Sequence, residues 1–488
     1  MLDSTPDHDA APIREGATDQ QTGAGYAVAA SFSGARGETA PLTWGQQGIW
    51  DAIQRNAPGH FNVGTVVAVP PGLKQDARTI AAAIGRLLDR HESLRTRILA
   101  VDGEYRQAVE RSGALRVEVV EAGGSGIHAV AHRLRSMAYD YARGDLPLRV
   151  ALVTRGGAIE HVLLTLCHSA ADLQGLSVVR EDLAKLLEGA ELPGQVPQPV
   201  DLARNQLLPA ARRRSARSVE YWTRQIGRVR SSMFTEAEPP QTPAFRSALL
   251  TSPAVGAAAR LLAARHGVGE STVLQAACVC VLTSWTGQHR CHLQSLTSNR
   301  FWPGHQGMVT HMCQQGLFVL DVSAAWTFDD LLSATDRAAA EAHWHAYYRQ
   351  RDLDAAVERL QAEDGVVQRD CYFNDTRSDG PPVWTAASQP QEDELVVSTS
   401  ADSAVAVPAD STDVRRLAAE TSFRWQADPG WLQCRFSLKI FGPPAVPRVS
   451  LSADTRYLPA ARIEQFLADF EGCLVRASED SRTMAVVR

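Results

Sequence analysis

The chain has no long apolar run. No segment approaches the roughly 20 residues that a membrane-crossing helix needs, and no basic stretch leads into an apolar one as in a secretory signal. A cytoplasmic protein is therefore expected. Cysteine is sparse and scattered. The eight residues are Cys167, Cys278, Cys280, Cys291, Cys313, Cys371, Cys434 and Cys473, and none forms a CxxC pair. That pattern excludes a zinc ribbon and argues against a disulfide framework, so free thiols are expected. Charge of one sign is not in excess either. The 49 basic and 55 acidic residues leave a net charge of −6, which gives no case for nucleic acid or an anionic membrane. Phosphate-binding loops are missing too. Gly123-Gly124-Ser125-Gly126 lacks both the GK[ST] ending and the GxGxxG spacing, and reads as a plain connection.

What remains is a soluble globular composition, 44% hydrophobic and 21% charged. A length of 488 residues exceeds one ordinary core, so two lobes are expected. The most informative stretch runs from His161 to Leu187. Its first part, to Cys167, is an apolar run that reads as a buried strand. Its last part places Leu176, Val179, Leu183 and Leu187 on one helical face. Between them a short turn carries His168 and Asp172. By the period of two, His168 continues the face of Val162, Leu164 and Leu166, and Cys167 points the other way. A neutral, partly shielded imidazole there suits a general base. The His-x-x-x-Asp spacing alone is weak, since with 14 histidines and 55 acidic residues roughly one such pair arises by chance.

Other elements follow from patterning. Residues 1–38, without periodicity, read as a disordered leader. Helices are predicted over Trp44–Asn56 with Thr43 as cap, Asp76–Ser93, Thr272–Thr286, Asp329–Arg349 and Ala460–Ala477. Strands are predicted over Arg149–Thr154, Glu160–His168, His292–Leu296, Gly316–Val322, Arg435–Phe441 and Arg448–Ala453, with two more pieces inside Tyr105–Glu121. The lobes would span 39–188 and 244–488. The Pro-rich 189–243 stretch reads as linker or crossover, and Asp375–Asp410 as a mobile loop that could cover a cleft. Arg212, Arg213, Arg214 and Arg217 read as a solvated helix face or as a docking patch for an acidic partner. His343 and His345 are two apart on a predicted helix and diverge, so no metal site is expected from them.

Several stretches, in serial order, resemble the condensation domains of nonribosomal peptide synthetases, relatives of chloramphenicol acetyltransferase. Cys167 to Leu173 (CHSAADL) is similar to the HHxxxDG signature, with Cys167 for the first histidine and Leu173 for the glycine. Pro41–Trp50 resembles the LTxAQxxxW opening, Arg90–Ile98 the RHExLRTxF segment and Leu146–Leu152 the PLxRxxL strand. Glu220-Tyr221-Trp222, Thr272–Arg300, Cys371–Asn374 and Leu451–Cys473 continue the series to about residue 480.

The resemblance implies an α/β (α+β) fold of two chloramphenicol-acetyltransferase-like lobes set as a V-shaped pseudo-dimer around a tunnel. It implies acyl transfer from a carrier-protein thioester, held on phosphopantetheine, to an amine or alcohol in secondary metabolism. His168 would be the catalytic base, and Asp172 a structural anion paired with Arg95 first, or Arg300 second. Cys167, Ser169, Leu173 and Gln314 would line the channel, Gln314 matching a family asparagine. Neither metal nor resident cofactor is implied, and a free-standing monomer is expected. Two alternatives stand beside this reading: a non-catalytic condensation-like domain that recruits a carrier or tailoring enzyme, and an acyl-CoA-dependent transferase. Leu173 weighs on the choice, because its side chain occupies space the family leaves beside the acceptor.

Overall fold

Patterning at two different periods builds two sheet-and-helix lobes, seen in a computed structural model. It describes residues 25–378 and 410–482, except 75, 123–125, 230–231, 236–238, 240, 303, 366–368, 431 and 433. The Gly123–Ser125 part of the glycine loop, residues 1–24 of the expected leader and most of the expected 375–410 loop lie outside the described residues.

The first lobe runs β1 (Gly25–Ser33), β2 (Glu38–Pro41), α1 (Trp44–Arg55), β3 (Val63–Ala68), α2 (Ala77–Arg90), β4 (Thr96–Val101) and β5 (Glu104–Val109). It continues β6 (Ser112–Glu121), α3 (Gly126–Ser136), β7 (Leu148–Arg155), β8 (Ala158–Leu166) and α4 (Leu173–Leu187). Its main sheet has the order β1-β6-β7-β8-β3, with β2-β5-β4 as a separate small sheet. Strand β8 is buried on both faces. Val162, Leu164 and Leu166 pack with Ile80, Ile84, Leu87 and Leu88 of α2 and with α4, while Leu163 packs under Val130 and Leu134 of α3. A strand covered by helices on both sides carries a continuous apolar run, which is why this stretch stands out in the sequence.

The crossover contains α5 (Pro199–Gln206) and α6 (Pro209–Arg228). The second lobe runs β9 (Phe245–Thr251), α7 (Pro253–His266), α8 (Glu270–Thr286), β10 (Arg290–Thr297), β11 (Gln314–Asp321), α9 (Phe328–Trp344) and α10 (Gln350–Asp364). It ends with β12 (Cys371–Asp375), α11 (Ser411–Ala418), β13 (Ser422–Trp425), β14 (Phe436–Phe441), β15 (Arg448–Asp454) and α12 (Ala460–Glu479). Its sheet order is β11-β10-β12-β14-β15-β9-β13. Helices α7, α8, α9, α11 and α12 bury one face of that sheet. On β14 the alternation is complete, with Phe436, Leu438 and Ile440 turned into this core. Helix α8 is apolar on nearly all sides and correspondingly buried along most of its length. Among the described residues no single helix is long and apolar enough to cross a membrane.

Three expectations need correction. Gly25–Ser33 belongs to the first lobe and not to a leader. It pairs antiparallel with β6 over its whole length, and its small Ala and Ser side chains conceal the alternation that buries Ala30 and Phe32. The 189–243 stretch is largely helical, because Pro199 and Pro209 occupy first-turn positions, where a missing N–H costs nothing. The long helix expected over 329–349 ends at Trp344. Tyr348 leaves the helical path, its backbone carbonyl and N–H bonding the two ends of the Gln314 amide, and the chain restarts as α10, which the patterning did not predict.

The crossover joins the lobes. Gln206 accepts from the Trp44 backbone N–H of α1 and donates to the Tyr347 hydroxyl, and the Trp44 and Tyr347 rings lie 4.8 Å apart. Gly45 is required there, since a β-carbon would sit 2.4 Å from the carbonyl of His311.

Candidate active site

Strand β8 stops at Leu166, and the chain turns through Cys167–Asp172 into α4. Ala170 N–H returns to the Cys167 carbonyl to close the turn. His168, half-buried, has its Nδ1 2.8 Å from the carbonyl of Ala171. A carbonyl only accepts, so the neutral ring carries its proton on Nδ1 and leaves a lone pair on Nε2. Burial lowers the His168 pKa. The Ala171 carbonyl and Asp172 oppose that shift, and the positive charge of Lys439, on β14 of the other lobe, adds to it. Burial likewise lowers the Lys439 ammonium, to about 8.

Asp172 is bonded at both carboxylate oxygens. As cap of α4 it accepts from Gly175 N–H on Oδ1 at 2.9 Å. Its Oδ2 accepts from Arg300 at 2.6 Å, from Met312 N–H at 3.0 Å and from the Cys313 thiol at 3.4 Å. Burial alone would raise this carboxyl. The Arg300 guanidinium outweighs it and holds the pKa at about 2. Arg300 also donates to the carbonyls of Met308 and Thr310, which fixes the 298–313 loop against the turn. The same loop sets His311 edge-on to His168, ring centroids 4.6 Å apart. Burial and the neighbouring His168 lower the His311 pKa to about 3, so it is neutral at physiological pH.

The expected residues therefore meet only in part. Arg300, and not Arg95, pairs with Asp172. Arg95 is turned into its own lobe, where it donates to the carbonyls of Leu88, Arg36 and Glu110 and lies 3.9 Å from Glu92. Cys167 points away from His168, into a cluster with Trp50, Ile98 and Tyr141, and accepts from the Ser169 hydroxyl. Ser169 is itself buried. The turn directs both side chains back into the first lobe. Gln314 is buried with its amide committed to the Tyr348 backbone. Leu173 is half-buried in the first turn of α4, leaning on the first-lobe core and with no positive φ. Two residues later Gly175 packs against the same groups: a β-carbon there would lie 3.3 Å from the Ala171 β-carbon and 3.4 Å from Arg300 and the Asp172 carboxylate, near ordinary contact. His311, Lys439 and Gly175 were missed by reading along the chain. The first two arrive from the other lobe with no local signal, whereas the glycine three residues after Asp172 is visible in the motif itself.

A model of the condensation domain matches residues 37–404. The hybrid PKS-NRPS synthetase ucsA of Acremonium sp is 28% identical over 194 residues, which are 39% of this chain and 5% of that protein. The probable non-canonical nonribosomal peptide synthetase CymA of Salinispora arenicola is 27% identical over 328 residues, 64% of this chain and 4% of that protein. The chain thus corresponds to a small part of these curated relatives. Among solved structures, the condensation domain of the monacolin K polyketide synthase MokA superposes with a TM-score of 0.67 at 17% identity, covering 92% of this chain and 99% of that one. SgcC5 from Streptomyces globisporus gives 0.63 at 18% identity, covering 91% and 99%. The fold is accordingly the chloramphenicol-acetyltransferase-like, mixed α and β fold of these domains, and the chain belongs to the condensation domain family of nonribosomal peptide and polyketide biosynthesis.

Proposed function

We propose that this chain transfers an acyl or aminoacyl group from a carrier-protein thioester to an amine or alcohol, with His168 as the base. The observation that carries this reading is the tied Nδ1 and bare Nε2 of a neutral, half-buried imidazole. The acceptor N–H or O–H gives its proton to Nε2 as its nitrogen or oxygen attacks the thioester carbonyl. The C–N or C–O bond forms, the C–S bond breaks, and the imidazolium returns the proton to the departing thiolate. This sequence needs no covalent enzyme intermediate and no metal. Asp172 and Arg300 hold the turn, and His311 packs against the ring of the base.

The donor arm is a phosphopantetheine on a carrier protein. Arg212, Arg213 and Arg217 are exposed on α6 and suit docking of an acidic carrier. Arg214 does not join them, since it is stacked over Trp302 and Trp344. Intact-mass analysis tests the reading directly. A candidate acyl carrier protein is incubated with this protein and a pool of amines and alcohols, and chain-dependent loss of the acyl mass is expected. Unloading from acyl-CoA alone would favour the CoA-dependent reaction. If the carrier binds but its acyl mass persists with every acceptor, the chain is a recruitment domain and the catalytic assignment fails.

A further inference from the structure

We propose that His292, Asp370 and Cys371 form a binding site for a divalent transition ion of the zinc class in the second lobe. It shares no residue with the His168 turn. Parallel pairing of β10 with β12 sets Gln294 beside Tyr372, and the same register continued two residues back brings His292 beside Asp370, at the entry to β12. Cys371 follows immediately. One imidazole nitrogen, one carboxylate oxygen and one sulfur then lie within 4.8 Å of one another. Ligands round a tetrahedral zinc ion stand about 3.5 Å apart, so a small side-chain adjustment closes the set.

Two further features point to a ligand. His292 is 2% exposed, and its Nε2 has no hydrogen-bond partner, a costly state for a buried polar atom. The Cys371 thiol, buried as well, points at Asp370 Oδ1 with the sulfur 3.6 Å away. Asp370 Oδ2 is meanwhile held by Arg435 Nε at 2.8 Å. One carboxylate oxygen is thus oriented by an arginine and the other is turned toward the imidazole and thiol, as metal-ligating carboxylates are.

Binding of M²⁺ displaces the thiol proton, and the Asp370 and Cys371 anions offset the charge of the ion; Arg435, still bonded to the other Asp370 oxygen, leaves the loaded site with one net positive charge. One proton is released per ion, so affinity rises with pH. A mixed N, O, S set favours Zn²⁺ or Co²⁺ over Ca²⁺ or Mg²⁺, which prefer oxygen throughout.

The test uses the full chain without a histidine tag, stripped by chelator and titrated with Co²⁺. A thiolate-to-cobalt charge-transfer band saturating at one equivalent, and lost on adding Zn²⁺, is expected. Saturating Zn²⁺ should raise the Tm of the wild type and leave that of His292→Gln unchanged. Cys371→Ser should abolish the band and weaken binding at least tenfold. Absence of the band in folded wild-type protein overturns the site without recourse to any variant. A band that persists undiminished in Cys371→Ser overturns it as well, by placing the ion on other thiols.

Discussion

The two ends of one short turn have opposite chemistry. At its start His168 has one ring nitrogen bonded and the other bare, in a half-buried place. At its end Asp172 is fully buried, with both oxygens bonded, and its strongest partner comes from the other lobe. A group with unused hydrogen-bonding capacity can enter a reaction, whereas a saturated, buried one can only hold structure. The same contrast separates their pKa values. Burial keeps His168 neutral. Against that same penalty, Arg300 keeps Asp172 ionised.

The sharpest way to break this contrast is to remove each end separately. His168→Ala should lower acyl-transfer turnover by about 10²–10⁴ with Tm unchanged, since the turn is closed by backbone bonds and by Asp172. Activity within a few-fold of wild type would exclude the imidazole as base. Asp172→Ala should act on folding. It strands Arg300 as a buried, unpaired charge, a loss of about 3–5 kcal/mol, visible as a lower denaturation midpoint together with lost activity. An Asp172→Ala protein as stable as wild type but inactive would give the carboxylate a chemical role instead.

Acid should erode the two kinds of group in different windows. The His311 pKa is depressed to about 3, below that of a free histidine, so its burial costs nothing above about pH 6.5 and destabilises the fold increasingly as pH falls toward 3. Asp172, with its pKa at about 2, contributes stability above about pH 4 that is lost only as pH falls further. His311→Phe should therefore flatten the pH dependence of stability between about 4 and 6.5. An unchanged slope in urea titrations over that window would show that His311 is not the group responsible.

A smaller effect tests the reach of the second lobe into the site. Lys439 lowers the His168 pKa, so Lys439→Met should move the acid limb of the kcat/KM profile to higher pH, toward the ordinary histidine value. An unmoved limb would mean that the Lys439 charge does not act on the base.

What could be read from the chain follows the range of the interactions involved. His168, Asp172 and the α4 stripe lie within one short stretch, and their local periods locate them. The partner of Asp172 does not. Arg95 and Arg300 are both buried, and each sits in a segment resembling a family motif. Choosing between them needs the knowledge that Arg95 is used up by three carbonyls of its own lobe. The prolines at 199 and 209 misled for a related reason, since a proline that breaks a helix interior also opens one. The break after Trp344 is set by Gln314 capturing the Tyr348 backbone, a contact between residues far apart in sequence with no local trace.

Leu173 gives the finest test, and it rests on the proposed transfer reaction. The residue after the capping aspartate lies in the first turn of α4, half-buried, and leans partly on the first-lobe core. The backbone there is ordinary helix, without the positive φ that only glycine tolerates well. Leu173→Gly should therefore fold, at a cost of about 0.5–1 kcal/mol for glycine in a helix plus a part of the lost leucine burial. The native transfer should stay within a few-fold of wild type. Removing the side chain should admit bulkier acceptors, read by competing a small and a large amine for the same acyl carrier and comparing product masses. A broadened product set with unchanged His168 dependence would make the leucine an acceptor gate. Equal discrimination in wild type and variant would place the selectivity elsewhere, with the loop that carries His311 as the next element to change.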